Sequence, residues 1–313
     1  MNGLELSRAY FEAYGLPMLK AQFPSLLPLL CAGLTGAGSE CYGFDDEISR
    51  DHDFEPGFCL FLPGEETVSR RDAFLLERAY AKLPREFMGF QRGLIAPVGG
   101  PRRGVLRMDG FFMEKVGAPD GALSPMQWLS TPDYALAEAV NGEIFLDGPG
   151  DMTRIRAALS RYPEDIRKKK LAGHLLLAAQ AGQYNYGRCL GHRETAAAQL
   201  AVCAFVQHAM QAVFLLNRVY MPYYKWSFRA MRGLPRLSLL AELMEYLLTT
   251  DNGEELSSDK QDVMEGMIAD IIGEMRNQRL TKAVCGDLEK HAYSVQDLIE
   301  DTQVRSMHIL CAV

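Results

Sequence analysis

The chain lacks several features that would assign it to a common class at once. Its seven cysteines are scattered, odd in number and form no CxxC pair, which argues against a disulfide framework and against a zinc site. No apolar run reaches the roughly 18 residues of a membrane span. The first residues carry no basic region followed by an apolar stretch, so we expect no secretory signal and a cytoplasmic location.

Positive charge is also in short supply. There are 33 Lys and Arg residues against 40 Asp and Glu residues, a formal net charge of −7. Proteins that follow a nucleic-acid backbone usually present a basic surface, so we expect a small acceptor rather than nucleic acid as the partner. The densest cationic group comprises Arg161, Arg167 and residues 168–170, and a solvated helix face is the usual explanation of such a run.

Short apolar runs alternate with helical patterns in the first half of the chain. Runs of this length between Gly, Pro and Asp residues predict buried strands at 29–34, 57–62, 105–112 and 143–146. Helices are predicted before the first strand, at 4–14 and 17–29, and between later strands, at 68–82 and 132–140. Gly15-Leu16-Pro17 is expected to separate the first two helices.

After about residue 150 only helical periodicity remains. The predicted helices lie at 151–160, 163–182, 194–220, 236–249, 259–277 and 286–302. We therefore predict an α+β fold, with an α+β domain over residues 1–150 and an all-helical domain over residues 151–313.

The motif that carries chemistry spans the first two predicted strands. The first strand runs into Gly38-Ser39, and Asp51-His52-Asp53 follows beside the second strand. Residues two apart in an extended segment point to one face, so Asp51 and Asp53 would project together. Gly38 lets the backbone approach a phosphate, and Ser39 adds a hydroxyl. Carboxylate and phosphate oxygens are ligands that magnesium prefers, so the pattern predicts a metal–phosphate site.

This ordered pattern resembles the motif of the nucleotidyltransferase superfamily, which includes DNA polymerase beta and kanamycin nucleotidyltransferase. In that motif an apolar strand leads into Gly with Gly or Ser, and after a short spacer Asp-x-Asp or Asp-x-Glu stands on a strand. The resemblance implies a mixed sheet with flanking helices. It also implies two Mg²⁺ ions bound by Asp51 and Asp53, with a nucleoside triphosphate as substrate.

The sequence departs from the superfamily pattern at two places. His52 stands where an apolar residue is usual, and Glu55-Pro56-Gly57 interrupts the second strand. Because proline is disfavoured inside a central strand, we expect the strand to lie at 58–62, with the acidic pair just before it.

A closer resemblance connects the run 38–53 to an uncharacterised bacterial family that combines a nucleotidyltransferase core with a domain of unknown function. Further similar stretches lie at 128–129, 142–147, 161–165 and 217–226. The resemblance covers about residues 25–235 and implies no particular acceptor.

A third carboxylate and cations would complete such a site. Asp109 is the first candidate for the third carboxylate, as a metal ligand or as the base for the acceptor hydroxyl, and Asp147 is the second. Each precedes a glycine, so either could be a plain turn residue. Arg50 and Lys225 are the candidate phosphate-binding cations. Lys225 either reaches the nucleotide together with its aromatic neighbours or extends to solvent from a buried aromatic cluster.

Together these features predict an enzyme that moves a nucleotidyl group from a nucleoside triphosphate to a small acceptor. Two alternatives remain open. One is a non-catalytic nucleotide sensor on the same fold, and the other is an RNA end-modifying enzyme with a basic lane beside its cleft. The predicted catalytic residues are Asp51, Asp53 and Asp109, and the predicted nucleotide-binding residues are Gly38, Ser39, Arg50 and Lys225.

Overall fold

The computed structural model describes residues 1–48, 54–92 and 102–313. They divide into unit 1, which is Met1–Gln127 with Thr131–Ser160, and unit 2, which is Trp128–Ser130 with Arg161–Val313. Unit 1 combines helices with a small mixed sheet, and the described elements of unit 2 are helices, so the α+β class is confirmed. The predicted domain boundary at residue 150 stays a prediction.

Unit 1 is built on a four-stranded sheet with the strand order β5-β2-β1-β6. β1 (Cys31–Leu34) pairs antiparallel with both β2 (Cys59–Leu62) and β6 (Glu143–Asp147), and β5 (Gly104–Arg107) pairs parallel with β2. The positions of β1, β2 and β6 confirm three of the predicted strands. Every residue of β1 and β2 is buried, as their unbroken apolar sequences require.

The strand directions decide which loops meet at each edge of the sheet. Gly33 lies opposite Cys59 and Cys59 lies opposite Gly104, so the end of β1 is beside the beginnings of β2 and β5. β6 also begins there, because its first residue is opposite the last residue of β1. We call this the Gly38 edge, because it carries the turn that follows β1 and the residues that precede β2, β5 and β6. The opposite edge carries the ends of β2, β5 and β6.

Aromatic rings from helices and strands fill the core of unit 1. The ring centroid of Phe58 lies 4.9 Å from that of Tyr80 and 5.1 Å from that of Phe11. The Tyr80 hydroxyl donates to the Phe58 carbonyl oxygen (2.8 Å) and accepts from the Phe58 N–H (3.0 Å), so its burial leaves no polar atom unpaired.

A separate hairpin pairs β3 (Glu86–Phe87) with β4 (Phe90–Gln91). The helices in this part of the chain are α1 (Gly3–Tyr10), α2 (Leu16–Gln22), α3 (Arg70–Ala81), α4 (Met108–Val116), α5 (Pro125–Ser130), α6 (Asp133–Val140) and α7 (Asp151–Leu159).

Two predictions for unit 1 are wrong in detail. The sequence predicts a strand over 105–112, but β5 ends at Arg107 and α4 begins at Met108. A short apolar run does not distinguish a buried strand from a buried helical turn, which explains the error. The expected break at Gly15-Leu16-Pro17 is absent too, because the π-helical stretch Phe11–Gly15 joins α1 to α2.

The described elements of unit 2 are helices packed around α8 (Glu164–Ala178) and α10 (Thr195–Asn217). The π-helical stretch Ala179–Asn185 joins α8 to α9 and interrupts the helix predicted over 163–182. The remaining predicted helices are confirmed in position. The bounds are α8 (Glu164–Ala178), α9 (Tyr186–Gly191), α10 (Thr195–Asn217), α11 (Tyr224–Arg232), α12 (Leu240–Thr249), α13 (Glu254–Asn277), α14 (Leu288–Asp297) and α15 (Thr302–Ser306).

The cationic run of α8 is not a solvated face, so that interpretation of the sequence is wrong. Arg167 is 1%, Lys169 0% and Lys170 4% exposed. The Lys169 ammonium donates to the carbonyl oxygen of Met307 and to the side-chain oxygen of Gln296, and burial lowers the pKa of Lys169. These three cations lie in the interior of unit 2 and do not form a strip of exposed basic residues.

The apolar helix α10 meets the length and composition expected of a membrane span. However, 61% of its most apolar window is buried inside the protein, and the helix packs against α8 and α12. A core helix of a soluble protein has the same composition. The cytoplasmic location stays a prediction.

Two histidines meet inside unit 2. The Nδ1 atoms of His174 on α8 and His208 on α10 are 3.0 Å apart. Burial, His208 and Lys170 together hold the pKa of His174 well below its ordinary value, and burial also lowers the pKa of His208. The folded unit therefore favours uncharged rings, with one Nδ1–H donating to the other ring.

The histidine pair predicts that the unfolding free energy falls as the pH drops below about 6.5. The unfolded chain then binds protons that the folded pair refuses, so the slope approaches about 1.4 kcal/mol per pH unit for each proton. Urea denaturation between pH 7.5 and 5.5 measures it. The His174→Asn/His208→Asn variant should lose most of the slope, whereas His192→Asn, at an exposed position, should keep it. A slope that survives the double substitution would contradict this explanation.

A second prediction concerns Gly142, which connects α6 to β6. It has φ +64°, and a Cβ atom there would lie 1.9 Å from the carbonyl oxygen of Leu34. Gly142→Ala should therefore lower the unfolding free energy by about 3 kcal/mol or more. Gly117→Ala is the matched control, because Gly117 has φ +71° and open space around it, and it should cost only about 1 kcal/mol. Equal losses in chemical denaturation would show that the close approach to Leu34 does not matter.

Candidate functional site

Asn141 clamps the turn that follows β1. Its side-chain oxygen accepts from the Gly36 N–H (2.9 Å) and the Thr35 hydroxyl (3.2 Å). Its side-chain nitrogen donates to the Gly36 carbonyl oxygen (2.9 Å), and the Thr35 hydroxyl also lies 3.1 Å from the carbonyl oxygen of Glu138. One amide thus fixes both polar groups of Gly36, which holds the start of the turn rigidly against the end of α6.

The turn itself presents backbone N–H groups. Gly36 and Gly38 have φ +115° and +134°, a region that favours glycine, and a short 3-10 turn follows at Glu40–Tyr42. Among the described residues, none accepts a hydrogen bond from the N–H groups of Ala37, Gly38 or Ser39. Successive N–H groups of this kind can bind an anion, which suits the phosphate-holding role predicted for Gly38 and Ser39.

A buried ion pair lies against this turn. Arg103, the residue before β5, donates to the Glu40 carboxylate at 3.1 Å, and the two side chains are 8% and 9% exposed. The Arg103 guanidinium also donates to the carbonyl oxygen of Glu55 and lies 4.0 Å from the Glu55 carboxylate. The Gly38 edge therefore contains a fixed cation that is far from Gly38 in sequence.

Three glycines make room for this ion pair. A Cβ atom on Gly38 would lie 2.6–2.7 Å from the Glu40 carboxylate, and one on Gly3 would lie 2.6 Å from the Glu40 side chain. A Cβ atom on Gly57 would lie 3.1 Å from the side chain of Arg103. The carboxylate of Glu40 thus sits directly over Gly38.

Asp51 and Asp53, together with Arg50, lie outside the described residues. Phe54, where the described chain resumes, packs its ring 4.8 Å from that of Phe90. From there the chain enters β2 at the Gly38 edge. Within residues 1–48, 54–92 and 102–313, no group of three or more His, Cys, Asp or Glu side chains is arranged to hold a metal ion.

The two candidate third carboxylates lie at the opposite edge of the sheet. Asp109 is exposed in the first turn of α4, beyond the end of β5, and it accepts from the N–H of Gly110. Asp147 ends β6 opposite Cys31, and it accepts from the N–H and the hydroxyl of Thr153 at the start of α7. The sheet brings neither of them beside the Gly38 turn. Acidic residues that do lie at the Gly38 edge include Glu40 and Glu143, and Glu143 forms an ion pair with Arg8.

Lys225 lies in unit 2, near the start of α11, and is exposed. Its ammonium is 4.9 Å from the centroid of the Trp226 ring. Tyr224 is 70% exposed, whereas Tyr220 is buried with its ring 4.8 Å from that of Tyr162. The aromatic stretch is therefore divided, with Tyr220 in the core and Tyr224 and Lys225 at the surface.

Two cysteines border the Gly38 turn, but they are unsuited to nucleophilic chemistry. Burial raises the pKa of Cys59 to about 11 and raises that of Cys41 well above its ordinary value. Both remain thiols at neutral pH, and a thiol is a poor nucleophile.

Unit 2 contains a cavity of about 530 Å³ beside its π-helical stretch. Gln183 lines it, donating to Glu265 (2.9 Å) and accepting from the N–H of Leu288 (2.9 Å). Arg188 lies over the ring of Tyr184, which forms part of the wall. Its acidic groups are Glu265, Asp287 and Glu289.

A family profile described as a domain of unknown function (DUF4037) matches residues 128–227. The matched stretch includes Asn141, Asp147 and Lys225 and does not reach Gly38 or Asp51. It is consistent with the resemblance to proteins that join such a domain to a nucleotidyltransferase core. No curated protein and no solved structure matches the chain.

Local sequence patterns do not reveal three residues of the Gly38 edge. Asn141 has a local signal, since Asn-Gly after a helix marks a tight turn, but its hydrogen bonds to Gly36 span 105 positions. Glu40 and Arg103 are 63 positions apart, and no local pattern indicates that they pair.

The clamp predicts a clear cost for Asn141→Ala. Removing three hydrogen bonds to Thr35 and Gly36 leaves buried polar groups unpaired, so the unfolding free energy should fall by about 2 kcal/mol or more. Asn277→Ala is the control, because Asn277 is exposed at the end of α13 and should change stability by less than about 0.5 kcal/mol. Similar small effects of both substitutions in denaturant titrations would rule out a clamping role.

Proposed function

We propose that the chain is a metal-dependent nucleotidyltransferase, with a nucleotidyltransferase-type core in unit 1. The carrying observation is that the Gly38 turn and the chain entering β2 share one edge of the sheet. The Asp51-His52-Asp53 motif directly precedes Phe54 in the sequence, so this topology supports a site in which turn and carboxylates serve the same triphosphate.

In the proposed reaction a hydroxyl oxygen of a small acceptor attacks the α-phosphorus of a nucleoside triphosphate. The bond from the α-phosphorus to its bridging oxygen breaks, pyrophosphate leaves, and the acceptor proton passes to a base. Asp51 and Asp53 would hold two Mg²⁺ ions, whose role is to neutralise charge on the phosphates. The N–H groups of Gly38 and Ser39 would hold phosphate oxygens. Arg50 stays a candidate phosphate-binding residue, and the nucleotide-binding role of Lys225, which lies in unit 2, stays a prediction of the sequence.

A nucleotide sensor without transferase activity is the second candidate. The specific observation in its favour is that Asp109 and Asp147 lie at the edge opposite the Gly38 turn. A site without a third carboxylate would bind nucleotide and lack a base for the acceptor. Release of pyrophosphate distinguishes the two candidates, because only the enzyme produces it. The RNA end-modifying alternative loses its main support, since the dense cations of α8 are buried.

The proposal predicts magnesium-dependent triphosphate binding that needs both aspartates. Asp51→Asn/Asp53→Asn should weaken the binding of labelled ATP, GTP, CTP or UTP with Mg²⁺ by at least about tenfold, because charged oxygen ligands are lost. Glu65→Gln/Glu66→Gln is the control, since it removes two exposed acids elsewhere in unit 1. Equal binding by the wild-type chain and the Asp51/Asp53 variant would refute the metal site.

A further inference from the structure

The pair formed by Glu40 and Arg103 is unusual because both charges are buried. The two side chains are 9% and 8% exposed, and the guanidinium lies 3.1 Å from the carboxylate. Removing two charges from water costs more than an ordinary surface ion pair returns, so stability alone explains such a pair poorly. The burial of the pair therefore points to a function beyond stability.

The position of the Glu40 carboxylate suggests that function. It lies against the Cα atom of Gly38, where a Cβ atom would approach it to 2.6–2.7 Å. The described residues offer no acceptor for the neighbouring N–H groups of Ala37 and Ser39. The carboxylate thus places an anion, paired with a guanidinium, at the glycine that the proposed function assigns to phosphate.

The chemistry of the two partners fits an exchange. A guanidinium binds carboxylate and phosphate oxygens with the same planar set of donors, so Arg103 can pass from one to the other. Among the described residues, the Glu40 carboxylate accepts from Arg103 alone, whereas Arg103 also donates to the Glu55 carbonyl oxygen. The carboxylate is therefore the partner that would move, and the guanidinium is the partner that would stay.

We propose that Arg103 binds the phosphates of the nucleotide and that Glu40 is its internal counter-ion, which a triphosphate displaces. This inference rests on the proposed function. It assigns a phosphate-binding residue that the Gly-Ser and Asp-x-Asp motifs do not contain. It also explains why Gly3, Gly38 and Gly57 surround the pair, since each leaves room for one of the two side chains.

The exchange predicts opposite effects of the two partners on phosphate affinity. Arg103→Gln should weaken the binding of magnesium tripolyphosphate and of the best-bound nucleoside triphosphate by roughly tenfold or more. Arg103→Lys should retain part of the affinity. Glu40→Gln should strengthen binding by roughly threefold, because it removes a competing negative charge. Isothermal titration on the full chain measures all three.

The control is a second ion pair of unit 1 that follows the end of β2, at the edge opposite the Gly38 turn. Arg70 donates to Glu65 at 2.8 Å, and the two side chains are 84% and 54% exposed. Arg70→Gln and Glu65→Gln should leave phosphate affinity unchanged. Circular dichroism checks that each variant folds, and if Arg103→Gln does not, Arg103→Lys and Glu40→Gln carry the test.

The possible results distinguish a failure of this inference from a failure of the proposed function on which it rests. If the wild-type chain binds triphosphate and Glu40→Gln binds it more weakly or equally well, the exchange is overturned. The proposed nucleotide site then still stands. Wild-type binding that Arg103→Lys and Arg103→Gln leave unaltered would remove Arg103 from the site. No binding of any triphosphate by the wild-type chain would overturn the proposed function, and this inference with it.

Discussion

The antiparallel register of β1 and β2 decides what can surround the Gly38 turn. Because Gly33 lies opposite Cys59, the turn that leaves β1 and the chain that enters β2 meet at one edge of the sheet. The parallel partner β5 begins at the same edge and brings Arg103 with it. A shift of one residue in this register would move every buried side chain of β1 to the other face, so the apolar core and the site share one constraint.

Polar contacts then fix the details of that edge. Asn141 binds both polar groups of Gly36, and Gly142 follows it at a distance from Leu34 that no side chain could tolerate. Glu40 and Arg103 add a buried ion pair next to the same turn. Polar groups this deep must be paired to be tolerated, so the turn is held in one conformation. A preformed backbone of this kind can meet a phosphate without paying for ordering.

Local pattern predicted the elements of this fold better than their partners. The buried strands at β1, β2 and β6 and most helices follow from apolar runs and periodicity, and the proline at position 56 correctly delays the start of β2. The prediction of a strand beyond Arg107 is wrong, because Phe111 and Phe112 fit a buried helix as well as a buried strand. The prediction that the cations of α8 are solvated is wrong for another reason. Their burial depends on carbonyl oxygens of distant segments of unit 2, such as that of Met307, which accepts from Lys169.

The candidate site shows the same division. Gly38 and Ser39 stand out because a small turn after an apolar strand is a local signal. Glu40 and Arg103 do not, because their pairing depends on how the strands are ordered in the sheet. The order of the strands along the chain predicts that Asp109 or Asp147 lies near the Asp51 and Asp53 pair. The directions of β5 and β6 put both residues at the other edge.

The central claim is that the Gly38 edge receives a metal-bound triphosphate. A crystal structure of the chain with a non-hydrolysable nucleoside triphosphate and Mg²⁺ tests it most directly. We expect phosphate oxygens within hydrogen-bond distance of the Gly38 and Ser39 N–H groups, with Mg²⁺ on Asp51 and Asp53. A triphosphate bound beside Asp109 and Asp147, or bound away from this sheet, would contradict it.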